Sequence, residues 1–233
     1  MKVIILVQSS DNPEYIKLRE AQQLTWDSIP HHNIDTIYYK RNGKSEEIID
    51  NIINTPENEE WITMYKSFVK ALRLLLKQDW DYIFKTDNSA YVDKDVLYNL
   101  LLTKPKNNYF GGMTFPYGLP DADKHVWGEG FAISRDIAKY IVDDFNKCPF
   151  LYSGIEDGVV SKVLKDKTIF DDTLHVYELY KHDGKIEPGN HVYRVRVEYS
   201  NYSPAFIKLD NFTSMIDSDI QSMHNIHSVI KKK

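Results

Sequence analysis

Two short polar clusters carry most of the chemistry this sequence offers: Thr86-Asp87-Asn88-Ser89 and Glu156-Asp157. The first ends an aromatic and β-branched run, Tyr82-Ile83-Phe84, so it reads as short polar side chains delivered at the carboxyl end of a buried strand. Open α/β sheets hold their ligands at such ends. Hard oxygen ligands alternating there can carry Mg²⁺ or Mn²⁺, and through the metal a diphosphate. The same residue types also make turns, and on this stretch alone both readings stand. Glu156-Asp157 opens a short helix whose apolar side is Val159, Val160, Val163 and Leu164. Acids in a first helical turn are ordinarily explained by the helix dipole. A third stretch, Gly128-Glu129-Gly130, suggests a backbone that a ligand or another strand approaches closely.

The chain that must position these groups has 233 residues, 42% hydrophobic and 27% charged, which reads as one soluble globular domain. With 29 Lys plus Arg against 34 Asp plus Glu, the net charge is −5, and no basic footprint for nucleic acid is present. Cys148 stands alone, so no internal disulfide can form, and the default for it is a buried, inert thiol. Met1 to Asp11 turns polar after Val7 and reads as a first strand rather than a secretory leader. No run approaches the roughly 20 apolar residues needed to span a bilayer. A cytoplasmic protein is the expectation.

Strand and helix patterns alternate along the chain, which implies a mainly parallel sheet covered by helices. Val3–Val7 is the first strand, and Asn12-Pro13 caps and opens a helix to about Trp26. Asp35–Tyr39 is the second strand, after which Ser45 caps a short acidic helix bearing Ile48, Ile49, Ile52 and Ile53. Trp61–Leu76 has helical apolar spacing, and a further helix runs from about Lys94 to Leu102. Asn108–Met113 reads as a strand, Thr114–Trp127 as a long loop, and Gly128–Ile133 as a strand followed by a helix that Ser134 caps, running to about Val142. Thr173–Tyr180 and Val192–Tyr199 are strand-like, with a turn at His182-Asp183-Gly184 between them, and the remainder reads as a polar tail. Residues 1–233 read as a single domain that divides at about 113 and about 200 into two halves and a tail, 201–233.

Four blocks in this order resemble a known family. They are Arg19-Glu20-Ala21-Gln22-Gln23-Leu24-Thr25-Trp26, Lys85-Thr86-Asp87-Asn88-Ser89-Ala90-Tyr91-Val92, Trp127-Gly128-Glu129-Gly130-Phe131-Ala132-Ile133-Ser134 and Ile155-Glu156-Asp157-Gly158. Together they are similar to landmarks of the fringe and β-1,3-galactosyl/N-acetylglucosaminyltransferase family, inverting glycosyltransferases with the GT-A fold. The resemblance covers roughly Arg19 to Leu164. It implies a nucleotide-sugar-binding α/β fold with a small antiparallel addition near the carboxyl terminus, a UDP-sugar donor and a saccharide acceptor, with about 1–113 as the nucleotide-binding half and about 114–200 as the acceptor and catalytic half. The family's tip is usually three acids, the last binding manganese, whereas here Ser89 takes that place and Asp87 alone is acidic. The Golgi relatives' paired disulfides and membrane anchor have no counterpart, which suits a cytosolic enzyme of the bacterial or viral kind.

By the same resemblance Asp157 is the general base and Glu156 a supporting or alternative acid. Asp87 and His182, with His175 in reserve, are the ligands of a Mn²⁺ or Mg²⁺ ion. Ser9, Ser10, Arg19, Lys85, Asp87, Asn88 and Ser89 serve the nucleotide, and Trp127, Gly128, Glu129 and Gly130 the donor sugar or acceptor. Inverting transfer needs a base on one face of the sugar and charge stabilisation of the leaving diphosphate on the other, so one carboxylate suffices as catalyst. Two other functions fit the same residues. One is a catalytically silent sugar-nucleotide or glycan-binding module, motivated by Ser89. The other is a nucleotidyltransferase, which would call for a glycine-rich phosphate loop where Gln8-Ser9-Ser10-Asp11 stands.

Overall fold

Alternate residues of the first strand are apolar on both sides, as a strand covered on both faces requires. In β1 (Val3–Gln8), Val3, Ile5 and Val7 enter one core, and Ile4 and Leu6 the other. The computed structural model describes residues 1–115, 125–148, 154–165, 167–174, 176–178, 186, 192–194 and 210–231. β1 is flanked in parallel by β2 (Ile34–Lys40) and β5 (Tyr82–Asp87), and β2 in turn pairs with β4 (Ile52–Asn54), whose antiparallel neighbour is β3 (Glu47–Ile49). On the other side of β5 run β8 (His125–Ser134), antiparallel, then β7 (Tyr109–Phe115) and β9 (Ile169–Asp171). The eight strands lie in the order β3-β4-β2-β1-β5-β8-β7-β9.

On one face α1 (Pro13–Leu24) and α3 (Lys94–Leu102) bury Leu18, Ala21, Leu97 and Leu101. α2 (Met64–Leu75), α4 (Arg135–Lys147) and α5 (Glu156–Leu164) cover the other with Phe68, Leu72, Ile137, Ile141, Val160 and Leu164. A small second sheet joins β6 (Ala90–Val92) antiparallel to β11 (Val192–Arg194), which pairs in parallel with β10 (Tyr177–Glu178). The expected α/β architecture, a mainly parallel sheet covered by helices with a small addition near the carboxyl terminus, is the one observed.

Most helices begin and end where the sequence places them. The Asn12 side chain accepts the Glu14 amide at 3.1 Å to start α1, and the Thr25 hydroxyl closes its end by donating to the Ala21 carbonyl at 2.6 Å. Trp26–Ser28 and Trp61–Thr63 are 3₁₀ turns rather than parts of the neighbouring helices.

Further expectations differ from the structure. The isoleucines of 48–53 form the β3–β4 hairpin instead of a helix: Asp50, at φ 55°, turns the chain, and β-branched side chains suit the pleat. The segment read as a polar tail contains α6 (Asp210–Ile230), which packs on α1 and β6 and buries Met215, Ile216, Met223 and Ile226. Cys148, expected inside, is exposed at the end of α4. Of the Thr114–Trp127 loop, both ends belong to β7 and β8, and 116–124 lie outside the described residues, as does most of the second strand-like run. No helix among the described residues is long and apolar enough to cross a membrane.

Candidate active site

Gln8, Tyr39 and Asp87 stand level with one another at the carboxyl ends of β1, β2 and β5, which defines one polar edge of the sheet. Alternation along β5 then puts Lys85 and Asp87 on the same face, the one α5 covers. A lysine on a packed strand face is costly to bury unless a carboxylate meets it. Glu156, the first residue of α5, is that carboxylate: it pairs with Lys85, and both residues are about 1% exposed. The Lys85 ammonium also donates to the Gly128 carbonyl at 2.8 Å and lies 5.9 Å from the Phe131 ring centre. Burial is the largest single influence on this ammonium and would lower its pKa. The carboxylates of Glu156, Asp87 and Asp157 together carry it above its ordinary value instead.

Asp157 is half-buried, and its carboxylate lies on the same Gly128 that the Lys85 ammonium approaches. Its Oδ1 accepts the Gly158 amide at 2.6 Å, and its Oδ2 would lie 3.0 Å from a Cβ built on Gly128. Gly128 is therefore the place where a backbone passes close to an acid. Gly130 is close to apolar groups instead, with the Phe84 ring and Val176 at 3.0 and 3.1 Å from a built Cβ. The two glycines of one motif thus do different things.

Several contacts hold the first turn of α5 against this edge. Gly154, at φ +141°, takes a conformation that side chains disfavour, while its amide donates to the Ile62 carbonyl at 3.1 Å and its carbonyl accepts from Tyr65 at 3.2 Å. The Ser161 hydroxyl accepts the Val126 amide at 3.0 Å and donates to the Asp157 carbonyl at 2.8 Å, fastening α5 to β8. β8 is in turn fastened to β5 through the Thr86 hydroxyl, 2.6 Å from the Glu129 carbonyl.

The tip of β5 is a tight turn: Asp87 Oδ1 accepts both the amide and the hydroxyl of Ser89, at 2.8 and 2.7 Å. Asn88 and Ser89 are buried. The helix block around Trp26 supports this turn from beneath. Gln22 donates to the carbonyls of Asp87 and Ala90 at 3.1 and 2.9 Å, and Trp26 donates to that of Ala90 at 3.1 Å. Ser9 and Ser10 lie at the same edge after β1, both nearly buried. The Ser9 hydroxyl accepts from Arg19 at 3.3 Å, while that of Ser10 donates to Glu59 at 2.6 Å and accepts the Asn12 amide.

The structure thus brings Lys85, Asp87, Gly128, Glu156 and Asp157 together, with Ser9, Ser10 and Arg19 along the same edge. Trp127 and Glu129 contribute backbone in β8, and the Trp127 side chain is not among the described ones. His175 and His182 lie outside the described residues. No three His, Cys, Asp or Glu groups among the described residues are placed to hold a metal. Two members escaped the sequence reading. Gln22 sat unremarked inside a helical block. Tyr39 stands next to last in β2, level with Gln8, a position that register with the first strand would have revealed. Its hydroxyl is buried and finds no hydrogen-bond partner among the described residues, and neither does Glu156 Oε2. Burial, then the Glu156, Asp87 and Asp157 carboxylates, hold the phenol protonated well above its usual range, against an opposing effect of Arg41.

No family model matches the chain, and no curated protein does. Solved structures do. A glycosyltransferase involved in the glycosylation of the major capsid of PBCV-1 superposes with a TM-score of 0.53 at 14% identity, covering 97% of this chain and 100% of that one. The glycosyltransferase GlyE of Streptococcus pneumoniae TIGR4 superposes with a TM-score of 0.55 at 11% identity, and its apo form with 0.51 at 13%. This chain spans 63% and 62% of those two. At such identities the shared property is the fold.

Proposed function

We propose that this chain is an inverting glycosyltransferase that moves a sugar from a nucleotide donor, a UDP-sugar, to a saccharide hydroxyl. The observation that carries the reading is the placement of one half-buried carboxylate, Asp157, beside Gly128 at the ligand-holding edge of a fold shared with glycosyltransferases, with Asp87 on the same edge. In this mechanism Asp157 takes the proton of the acceptor hydroxyl as its oxygen bonds to the anomeric carbon. The bond from that carbon to the diphosphate oxygen breaks on the opposite face, which inverts the configuration. The inverting course, and Asp157 as base, follow the resemblance to the fringe and β-1,3-glycosyltransferase family.

Arg19, with Ser9, would meet the nucleotide at the end of β1, and the Asp87–Ser89 turn would meet the ribose and diphosphate. Ser10, whose hydroxyl is spent on Glu59 and Asn12, shapes the loop that frames them. Mg²⁺ and Mn²⁺ in such sites commonly rest on one or two carboxylates plus substrate phosphates. Asp87 is a single carboxylate at the tip, so it fits an ion carried mainly by the diphosphate. Such an ion would neutralise the charge of the leaving group.

A general base contributes roughly 10²–10⁴-fold to rate, so Asp157→Asn should lower kcat by about that factor with UDP affinity unchanged. Normal turnover by this variant would remove Asp157 from the role. A second reading, a module that binds sugar nucleotides without turnover, is favoured by Ser89 in the usual acid position. It wins if calorimetry detects UDP binding while no UDP-sugar releases UDP, with or without Mn²⁺ and saccharide acceptors.

A further inference from the structure

The Lys85–Glu156 pair is buried too deeply for either member to meet a substrate, yet it sits directly behind the carboxylate that faces one. We infer that Lys85 and Glu156 are positioning residues, a buried strut that fixes where Asp157 stands relative to Gly128 and the tip of β5. This inference rests on the glycosyl-transfer reading.

Three observations support it. Lys85 reaches two separate elements at once, α5 through the Glu156 carboxylate and β8 through the Gly128 carbonyl at 2.8 Å, while its own backbone lies in β5. It thus ties together the strand carrying Asp87, the strand carrying Gly128 and the helix carrying Asp157. Secondly, α5 begins without a side-chain cap, since Ile155 stands at the cap position. Gly154 ties the chain just before the helix to Ile62 and Tyr65, and Ser161 holds the Asp157 carbonyl to β8, while the Glu156 carboxylate supplies the tie from this first turn to β5. Thirdly, Glu156 and Asp157 are consecutive in a helix and so diverge by about 100° around its axis. Pinning the first to Lys85 aims the second, whose Oδ2 stands 3.0 Å from the Cβ position of Gly128. An ordinary phosphate-binding lysine would keep its ammonium open to solvent, and this side chain is 2% exposed.

The test compares wild type, Glu156→Gln and the double variant Lys85→Met with Glu156→Met. Apolar replacement of a whole buried pair is often neutral for stability, so the double variant gives a folded protein without the strut. Glu156→Gln keeps the shape and one hydrogen bond to Lys85. Each is measured for melting temperature, for UDP affinity by calorimetry, and for kcat and KM with the UDP-sugar the wild type turns over. The expected result is a fall in kcat of about tenfold or more in the double variant, and a smaller fall in Glu156→Gln, with UDP affinity within about twofold of wild type in both. Unchanged kcat in Glu156→Gln overturns the inference and leaves the pair a purely structural one. A tenfold loss of UDP affinity in the double variant overturns it in favour of Lys85 as a nucleotide ligand. Should wild type turn over no nucleotide sugar at all, the glycosyl-transfer reading falls, and this inference with it. Active wild type with unaffected variants defeats the inference alone.

Discussion

Among the described residues two buried lysines, Lys94 and Lys85, meet carboxylates in nearly the same way, and the pairs differ in what is left unsatisfied. Lys94 pairs with Asp27 at 3.0 Å, donates to the Asp27 and Ile29 carbonyls, and lies 5.6 Å from the Trp26 ring centre. Lys85 pairs with Glu156, donates to the Gly128 carbonyl, and lies against Phe131. Asp27 spends its second oxygen on the Tyr38 hydroxyl at 3.2 Å, so that pair is closed on itself. Glu156 Oε2 finds no partner among the described residues, and two further carboxylates crowd the same ammonium. A saturated pair serves the scaffold, where every polar group repays its burial. Excess charge and an unpartnered atom instead gather beside the proposed active site, where perturbed groups cluster.

The sharpest way to break this contrast is Lys94→Met. Removing one partner of a buried pair costs about 3–5 kcal/mol, and the 13% exposure of the Asp27 side chain puts the expected loss near the lower end, about 3 kcal/mol. Turnover per folded molecule should not change. Denaturant melts beside kcat check it, and a lowered kcat in folded Lys94→Met would mean that the scaffold pair also serves the reaction.

The two glycines of β8 sharpen the contrast at smaller amplitude. A Cβ at Gly128 obliges the Asp157 carboxylate to move by a few tenths of an ångström. Misplacement by 1 Å can cost about 100-fold, so Gly128→Ala should lower kcat by about tenfold while the melting temperature holds. At Gly130 the same methyl presses on Phe84 and Val176 in the core, and overpacking there should cost about 1–3 kcal/mol of stability without a specific loss of kcat. Exchanged phenotypes would mean that the close approach at Gly128 is packing and that at Gly130 is functional.

Much of the frame was legible in the sequence because β1 opens on a continuous apolar run and β5 on Tyr82-Ile83-Phe84, as buried strands do, and α1 and α3 carry their own caps. The β3–β4 hairpin was not, since Ile48, Ile49, Ile52 and Ile53 satisfy a helical spacing as well as two short strands, and a single turn at Asp50 decides between them. α6 was missed because its buried Met215, Ile216, Met223 and Ile226 are diluted by serine, asparagine and histidine, and its stripe acquires meaning only against α1. At the site, the acids were visible by type and order. The partner of Lys85 was not, because it depends on a contact between residues far apart in the chain. A lone lysine after Tyr82-Ile83-Phe84 was nevertheless a signal: on a packed strand face it demands a buried carboxylate.

The smallest expected effect separates adjacent residues of one strand. Tyr38 and Tyr39 project to opposite faces of β2, the first towards Asp27 in one core, the second into the other core on the face of Glu156. Tyr38→Phe removes a hydrogen bond to a charged group, worth about 1.5–3 kcal/mol, and the 3.2 Å length suggests the lower figure. For a chain of this size that is a fall of about 3–6 °C in Tm. Tyr39→Phe removes a buried hydroxyl with no partner among the described residues, so nothing is lost in the free protein and Tm should hold or rise slightly. Any cost should appear only with ligand present, as a weaker response of Tm to added UDP-sugar. If Tyr39→Phe melts as far below wild type as Tyr38→Phe does, the hydroxyl is satisfied after all. The site would then be no less saturated than the scaffold, and the distinction between the two pairs would rest on charge alone.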